Sequence, residues 1–131
     1  WGYKFHMNDV NAVIGIENLK HINEILSKHR ENAYFYMDSF QGIPEIELMK
    51  EEKDNLSSYW LFTMKVQNVE PFMEYMKSHG VMASQVHRRN DTHPVTKQFK
   101  AHLPSVDEFS EHMVCLPVGW WVTKKDRQYI E

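Results

Sequence analysis

Apolar side chains recur at helical spacing over the first third of the chain. A short aromatic segment, residues 1–5, leads into Asn8 and Asp9, whose side chains favour the start of a helix. The apolar positions that follow are mostly three or four residues apart, as on one face of a helix. They are Val10, Val13, Ile14, Leu19, Ile22, Ile25, Leu26, Ala33, Tyr36, Met37 and Phe40.

This helical pattern covers about 30 residues, which is long for one helix of a globular domain. It therefore predicts two helices or one bent helix, with weak points at Gly15, Asn18 and His21. Gly42 is expected to end it, because glycine readily adopts the left-handed conformation found just past a helix. Residues 43–58 are acidic and are expected to form an irregular, mobile connector.

Strand and helix patterns alternate after the connector. Residues 59–66 (YWLFTMKV) are aromatic and apolar, which predicts a buried strand. A helix is predicted to begin at Asn68 and stop at Gly80, and residues 81–87 (VMASQVH) read as a second strand. Because strand–helix–strand units usually join parallel strands by a right-handed crossover, we expect these two strands to run parallel.

Two cap patterns mark helices near the end of the chain. Ser105 and Glu108 stand three apart and predict a capping box at the start of a short helix. Met113–Leu116 is predicted as a third strand. Thr123 and Asp126 repeat the cap spacing and begin the last helix.

The sum of these elements is an α+β fold. A long N-terminal helical segment is expected to pack on a small, mostly antiparallel sheet with helices on one face. The 131 residues suit one domain, with a leading segment and long helix (1–42), the connector (43–58) and an α/β small subdomain (59–131). The aromatic start and the unfinished last helix indicate a piece of a longer protein.

Charge and composition narrow the possible partners. The formal net charge of −3 gives no support to a nucleic-acid partner. Cys115 is the only cysteine, so an internal disulfide is impossible, which fits a reducing compartment. The longest apolar run, residues 113–122, is shorter than the roughly 20 residues that span a membrane. We therefore expect a cytoplasmic protein with neither nucleic acid nor membrane as its partner.

Histidines and a few cations are the candidates for chemistry. The eight histidines lack the spacing of a zinc site, so no metal is expected. Four of them are interpreted as solvated helix-surface residues: His21, His29, His79 and His112. Arg88 and Arg89 in the polar loop after His87, and Lys4 in the aromatic segment, suit an anion. The residues alone leave an anion site and a solvated surface as alternatives.

Four segments occur in the order seen in one known family. They are residues 2–12 (GYKFHMNDVNA) with the following IGI, residues 57–62 (SSYWLF), His87 with His93 six residues on, and residues 116–123 (LPVGWWVT). Through these segments the chain resembles the C-terminal part of the DegT/DnrJ/EryC1/StrS family of pyridoxal-phosphate (PLP) sugar aminotransferases.

The resemblance implies a fold type I enzyme, of the aspartate-aminotransferase type, that forms a homodimer with active sites at the subunit interface. It implies transfer of an amino group, commonly from glutamate, to a keto group of a nucleotide-linked sugar, as in amino sugar and cell-surface polysaccharide biosynthesis. In the family, the Schiff-base lysine and the aspartate that pairs with the pyridine nitrogen lie upstream of these segments. The chain alone is therefore expected to be inactive, to hold no cofactor, and to need its own N-terminal PLP domain.

The resemblance also carries over a few site residues. Lys4 matches a position, often asparagine, that reaches the PLP phosphate of the partner subunit. His6 takes a place where many members have arginine and is predicted to contact substrate. His87, Arg88 and His93 lie in the loop near the nucleotide-sugar site, although Arg88 replaces a residue that is often aromatic. No catalytic residue and no metal ligand is assigned within this chain.

The alternative is a free-standing α+β module that binds a small anion at His87, Arg88 and Arg89, or serves as an interaction module. The aromatic segment, residues 1–5, separates the two hypotheses. In a piece of a longer enzyme it packs against the missing domain, whereas in a free-standing module it must be buried within the 131 residues.

Overall fold

The computed structural model describes residues 6–87 and 89–131. The aromatic segment, which includes Lys4, and the loop residue Arg88 lie outside the described residues, so the predictions for them stay predictions. The fold class is confirmed as α+β, with five α-helices and a three-stranded antiparallel sheet in the described part of the chain.

Two helices begin the fold, as the hydrophobic pattern predicts. Helix α1 spans Asp9–Leu19 and helix α2 spans Ile22–Phe40. The Asn8 side chain accepts a hydrogen bond from the Asn11 amide at 2.9 Å, which caps α1. The chain then forms a tighter turn, because the amides of Lys20 and His21 each donate to a carbonyl three residues earlier. His21 is the N-cap of α2. The predicted break at His21 is confirmed.

The sheet has the order β1-β2-β3, with both pairs antiparallel. Its strands are β1, Ile46–Leu48, β2, Phe62–Val66, and β3, Met113–Leu116. Gly42, with φ of +82°, turns the chain out of α2 towards β1, as predicted. Residues 46–48 were predicted as irregular connector, and that prediction is wrong there because pairing with β2 turns them into a strand.

One face of the sheet makes the core. Phe62, Met64 and Val66 alternate as buried residues along β2. They pack with the buried side of α2 and with helix α3, Val69–Ser78. On the other face, Lys65 forms ion pairs with Glu47 at 2.8 Å and with Glu108 at 3.0 Å. Glu108 belongs to helix α4, Pro104–His112.

The predicted second strand, residues 81–87, is wrong. Within the described residues this segment pairs only at Ser84, which exchanges two backbone hydrogen bonds with Cys115 in antiparallel orientation. Gly80 adopts a φ of +76°, and the Val81 amide bonds back to the Met76 carbonyl at 2.9 Å. The chain therefore turns sharply after α3 and meets the free edge of β3, so a parallel strand pair does not form.

The capping box predicted at Ser105 and Glu108 is also wrong. Leu103 occupies the N-cap of α4 and Pro104 is its first residue, so Ser105 already lies inside the first turn. The Glu108 carboxylate instead reaches Lys65 of the sheet. Two short 3₁₀ helices, Asn90–Thr92 and Lys97–Phe99, precede α4 in the polar loop.

A buried polar network joins α2 to the segment after β3 and to the last helix, α5, Lys124–Ile130. The Asn32 amide donates to the carbonyls of Val118, Gly119 and Val122 at 3.1 to 3.3 Å. Arg127 of α5 donates to the Asn32 side-chain oxygen at 3.0 Å and lies over the Phe35 ring at 4.9 Å. The Trp121 ring covers Gly119 so closely that a Cβ there would overlap it.

The capping box predicted for α5 is present, and it leads to a pH-dependence. The Asp126 carboxylate accepts hydrogen bonds from the Thr123 hydroxyl at 2.7 Å and the Thr123 amide at 2.9 Å. These bonds lower the pKa of Asp126 below its ordinary value of 3.8. Their stabilising contribution is therefore complete above pH 3.8 and disappears as the pH falls through the lowered pKa of the folded state.

We expect the Asp126→Asn variant to lose this part of the acid sensitivity. The urea midpoint, followed from neutral pH to below the ordinary pKa of aspartate, should fall less steeply in the variant than in the wild type. Glu131→Gln, at the far end of the same helix, is the control and should follow the wild type. Equal slopes for Asp126→Asn and wild type would contradict the prediction.

Candidate functional site

The predicted substrate loop begins on a firmly held segment. Ser84 is paired with Cys115 through hydrogen bonds of 2.8 and 3.1 Å. The Gln85 side chain donates to the carbonyls of Ser110 at 3.0 Å and Met113 at 3.3 Å. These hydrogen bonds fix the backbone two residues before His87, whose ring is exposed.

His87 is one half of an aromatic pair. Its ring centroid lies 5.5 Å from that of Trp60, and the two rings are inclined by 32°. The Trp60 side chain is 65% exposed. Trp60 was not predicted as a site residue, because residues 59–66 were predicted to form one buried strand. In the structure β2 begins only at Phe62, so Trp60 lies before it.

The residue before Trp60 has an unusual backbone. Tyr59 adopts a φ of +46°, which non-glycine residues rarely do. Its carbonyl accepts a hydrogen bond from Nδ1–H of His29 at 2.8 Å, and its amide donates to the Ser57 hydroxyl at 3.1 Å. Burial and the nearby Glu51 carboxylate raise the pKa of Tyr59 to about 12, so the phenol stays protonated at neutral pH.

His29 is therefore buried, and its interpretation as a solvated surface residue is wrong. Its ring lies under the edge of Trp121, with centroids 6.2 Å apart and planes at 90°. Periodicity alone places His29 on the charged side of α2. The contact with Tyr59, thirty residues further on, was not visible in the sequence.

Arg89 is engaged in ion pairs. Its guanidinium contacts the Asp91 carboxylate at 2.6 and 3.0 Å and also pairs with Asp107 of α4. The hydrogen bonds from Arg89 lower the pKa of Asp91. Two carboxylates already neutralise the charge of Arg89, which counts against the hypothesis that it binds an anion.

A cleft of about 270 Å³ opens between this loop and α4. Its lining residues are Gln85, His87, Arg89, Thr92, Ser110 and Met113. Of the predicted site residues that are described, His87 lines the cleft. His93 is exposed on the following turn, and His6 is exposed before α1. Within residues 6–87 and 89–131, no group of three His, Cys, Asp or Glu side chains could hold a metal ion.

A second surface lies on α1. Against the described part of the chain this helix buries none of its side chains. Its five large apolar residues are 55–68% exposed: Val10, Val13, Ile14, Ile16 and Leu19. A cleft of about 590 Å³ runs from Gly15 and Leu19 of α1 to Ile25 of α2 and to Trp120. In the described part of the chain, no helix is long and apolar enough to cross a membrane.

Solved structures with the same fold include a sugar aminotransferase. The chain is similar to the sugar aminotransferase CalS13 from Micromonospora echinospora, with 36% identity and a TM-score of 0.91 over 99% of this chain and 35% of that one. It is also similar to AtS13 from Actinomadura melliaura, with 42% identity and a TM-score of 0.90 over the same shares of the two chains.

A curated relative is a GDP-perosamine synthase from Escherichia coli O157:H7. It is 24% identical over 119 residues, which cover 91% of this chain and 30% of the relative. The chain thus spans about a third of the length of the proteins it matches. A model of the DegT/DnrJ/EryC1/StrS aminotransferase family matches residues 1–131, the whole sequence. The chain therefore belongs to the DegT/DnrJ/EryC1/StrS aminotransferase family.

Proposed function

We propose that this chain is the C-terminal part of a PLP-dependent aminotransferase that moves an amino group from glutamate to a keto group of a nucleotide-linked sugar. Residues 1–42 lead in from the cofactor domain, residues 43–58 connect, and residues 59–131 form the small subdomain. The parent enzyme is a cytoplasmic homodimer, and the piece alone is inactive.

The exposed helix α1 is the observation that carries this proposal. Its apolar residues extend beyond one stripe, because Val10 and Ile14 share one side of the helix whereas Ile16 and Leu19 point to other sides. A helix that is apolar on most sides is normally buried. The remaining two thirds of the parent enzyme, which the matched relatives possess, supplies the protein that covers α1.

The cofactor belongs to the upstream part. Bound PLP supplies an electron sink and an aldehyde that exchanges between a lysine and the substrate amine. The six described residues that line the His87 cleft include no lysine, and Arg89 there is neutralised. These residues do not fit PLP, so no step through the cofactor is derived for this chain. Lys4 is proposed to contact the PLP phosphate of the partner subunit.

The residues of this chain bind the other substrate. His87, Arg88 and His93 are proposed to hold the nucleotide-linked sugar, with His6 as a further contact from the start of the chain. The His87 imidazole can donate to or accept from a sugar hydroxyl or phosphate oxygen. The hydrogen bonds of Ser84 and Gln85 hold the segment that bears His87 in place, which favours binding because little freedom is lost.

The competing hypothesis, a free-standing anion-binding module, is weakened by the ion pairs of Arg89. Of the cations that it invokes, Arg89 is held by Asp91 and Asp107. An incoming anion would have to displace two carboxylates from the guanidinium. The module hypothesis also leaves α1 without a covering surface.

The full parent enzyme tests the proposal. We expect it to bind PLP and to form 2-oxoglutarate from glutamate when a nucleotide-linked keto sugar is supplied. The 131-residue chain alone, and a parent variant in which the PLP-binding lysine is alanine, should form none. The proposal fails if the parent has no lysine at that position, if it shows no transamination with nucleotide-linked sugars, or if the reading frame begins just before Trp1.

A further inference from the structure

We propose that Trp60 is the platform on which the base of the nucleotide-linked sugar stacks. This assignment rests on the proposed function, because it names the part of that substrate which Trp60 recognises. It adds a specificity-determining residue that the sequence analysis did not single out.

Trp60 is exposed, unlike the residues on either side of it. Tyr59 and Leu61 beside it are half-buried, and Phe62 is buried in the core. The largest side chain of this run is thus the one that faces outward. Tryptophan carries a large apolar surface, so a planar ligand that covers the exposed ring gains favourable contact.

The backbone holds Trp60 in this outward position. The left-handed conformation of Tyr59 turns the chain immediately before it. The buried His29 and the Ser57 hydroxyl each hold the Tyr59 backbone by a hydrogen bond. Conformations of this kind are kept only where the surrounding contacts enforce them, and they cluster at binding sites.

The His87 ring supports the indole. At a centroid distance of 5.5 Å and an inclination of 32°, the two rings lie in an offset, tilted stack. The imidazole contacts part of the indole, and the rest of it is free for a planar ring. His87 also lines the 270 Å³ cleft, so the platform is continuous with the candidate substrate site.

A nucleobase suits this platform. Every base has a π face, and stacking on an aromatic side chain needs no particular hydrogen-bond pattern. The polar groups of the cleft, among them Gln85, Thr92 and Ser110, then lie on the His87 side, where the sugar and phosphate groups would follow.

The experiment uses the parent holoenzyme with Trp60→Ala and Trp60→Phe. Dissociation constants are measured by calorimetry for GDP, UDP and dTDP, and for a hexose 1-phosphate that lacks a base. Tyr75→Ala is the matched control, because Tyr75 is 63% exposed and stacks on His79 at 4.3 Å and 35°. Size-exclusion chromatography reports whether each variant keeps its oligomeric state.

We expect Trp60→Ala to weaken binding of the preferred nucleoside diphosphate by about 5- to 150-fold, the range for loss of one base–aromatic stack. Trp60→Phe should lie between Trp60→Ala and the wild type. Hexose 1-phosphate binding should not change, and Tyr75→Ala should bind both ligands as the wild type does.

Several results would overturn the assignment. The first is unchanged nucleoside diphosphate binding in Trp60→Ala, and the second is no nucleoside diphosphate binding by the wild type. Equal weakening of hexose 1-phosphate binding would indicate that Trp60 stacks on the sugar. Loss of the oligomer in both variants would indicate that Trp60 is a packing contact. Transamination by the wild type separately decides the proposed function. An active enzyme with unaltered Trp60→Ala binding refutes only the stacking, whereas Trp60-dependent nucleotide binding without transamination refutes only the reaction.

Discussion

Replacing Tyr36 with alanine is expected to lower the free energy of unfolding by about 4 kcal/mol, as for other large aromatic residues removed from a core. Tyr36 is fully buried, and its ring is parallel to that of Phe40 at 5.7 Å. It also contacts the Phe62 ring at 5.2 Å, and its hydroxyl donates to the Pro117 carbonyl at 3.2 Å. The variant leaves a cavity between α2 and the sheet.

Urea denaturation measures this loss. Tyr36→Phe keeps the ring and removes only the hydroxyl, so it should cost about 1 kcal/mol. Tyr75→Ala, at an exposed position, is expected to stay within about 0.5 kcal/mol of wild type. A loss below about 1 kcal/mol for Tyr36→Ala would mean that the aromatic cluster around α2 does not carry the core.

Replacing Asn32 with leucine is expected to cost about 3–5 kcal/mol, although the two side chains are similar in size. Asn32 donates to three carbonyls of residues 118–122 and accepts from Arg127, and both side chains are buried. Leucine can neither donate nor accept. It would leave the Val118 and Val122 carbonyls without the Asn32 donor and one buried guanidinium N–H without its acceptor, while Gly119 keeps its bond from the Val122 amide and Arg127 keeps its ion pair with Glu31.

A double-mutant cycle checks this prediction. Because Arg127 and Asn32 act in one network, Asn32→Leu combined with Arg127→Met should cost clearly less than the sum of the single variants. Glu31→Gln removes the solvent-exposed partner of Arg127, which lies at 2.9 Å, and is expected to cost less than about 1 kcal/mol. Additive losses in the cycle would show that the two residues stabilise the fold independently.

Local signals made the helices predictable. The cap at Asn8, the break at His21, the turn at Gly42 and the capping box at Thr123 all depend on side chains within a few residues of one another. Such interactions can be read from spacing, because the partners are close in sequence. Strands β2 and β3 were also found, since their apolar runs are bounded by polar or turn-forming residues.

Apart from the local capping box at Ser105 and Glu108, where Leu103 is the N-cap instead, the errors concern partners that are distant in sequence. Residues 46–48 contain the alternating pattern Ile-Glu-Leu, but three residues form a strand only because β2 accepts them as a neighbour. Residues 81–87 have strand-like composition, yet after the turn at Gly80 only Ser84 among them pairs with β3, at Cys115. Composition indicated which residues favour a strand, and tertiary contacts determined which of them form one.

The candidate site was predicted in part. The resemblance pointed to the loop at His87, and the structure places His87 at a cleft beside α4. Trp60 escaped notice because the position of Tyr59 in the left-handed region, which turns the indole outward, depends on His29. The pairing of Arg89 with Asp107 likewise joins residues that no helical or strand period connects. The roles predicted for Lys4, His6, His87, Arg88 and His93 stay predictions.

The way in which Asn32 holds residues 118–122 has a consequence for sequence divergence. Asn32 contacts main-chain carbonyls, which every amino acid possesses, so these hydrogen bonds do not restrict which side chains the segment carries during evolution. Other contacts do restrict it, because Val118 and Val122 are buried in the core and the Trp121 ring occupies the space of a Cβ at Gly119. Positions 119 and 121 should therefore covary among homologues. We expect glycine at position 119 wherever position 121 carries a large ring, and other residues at position 119 where it does not.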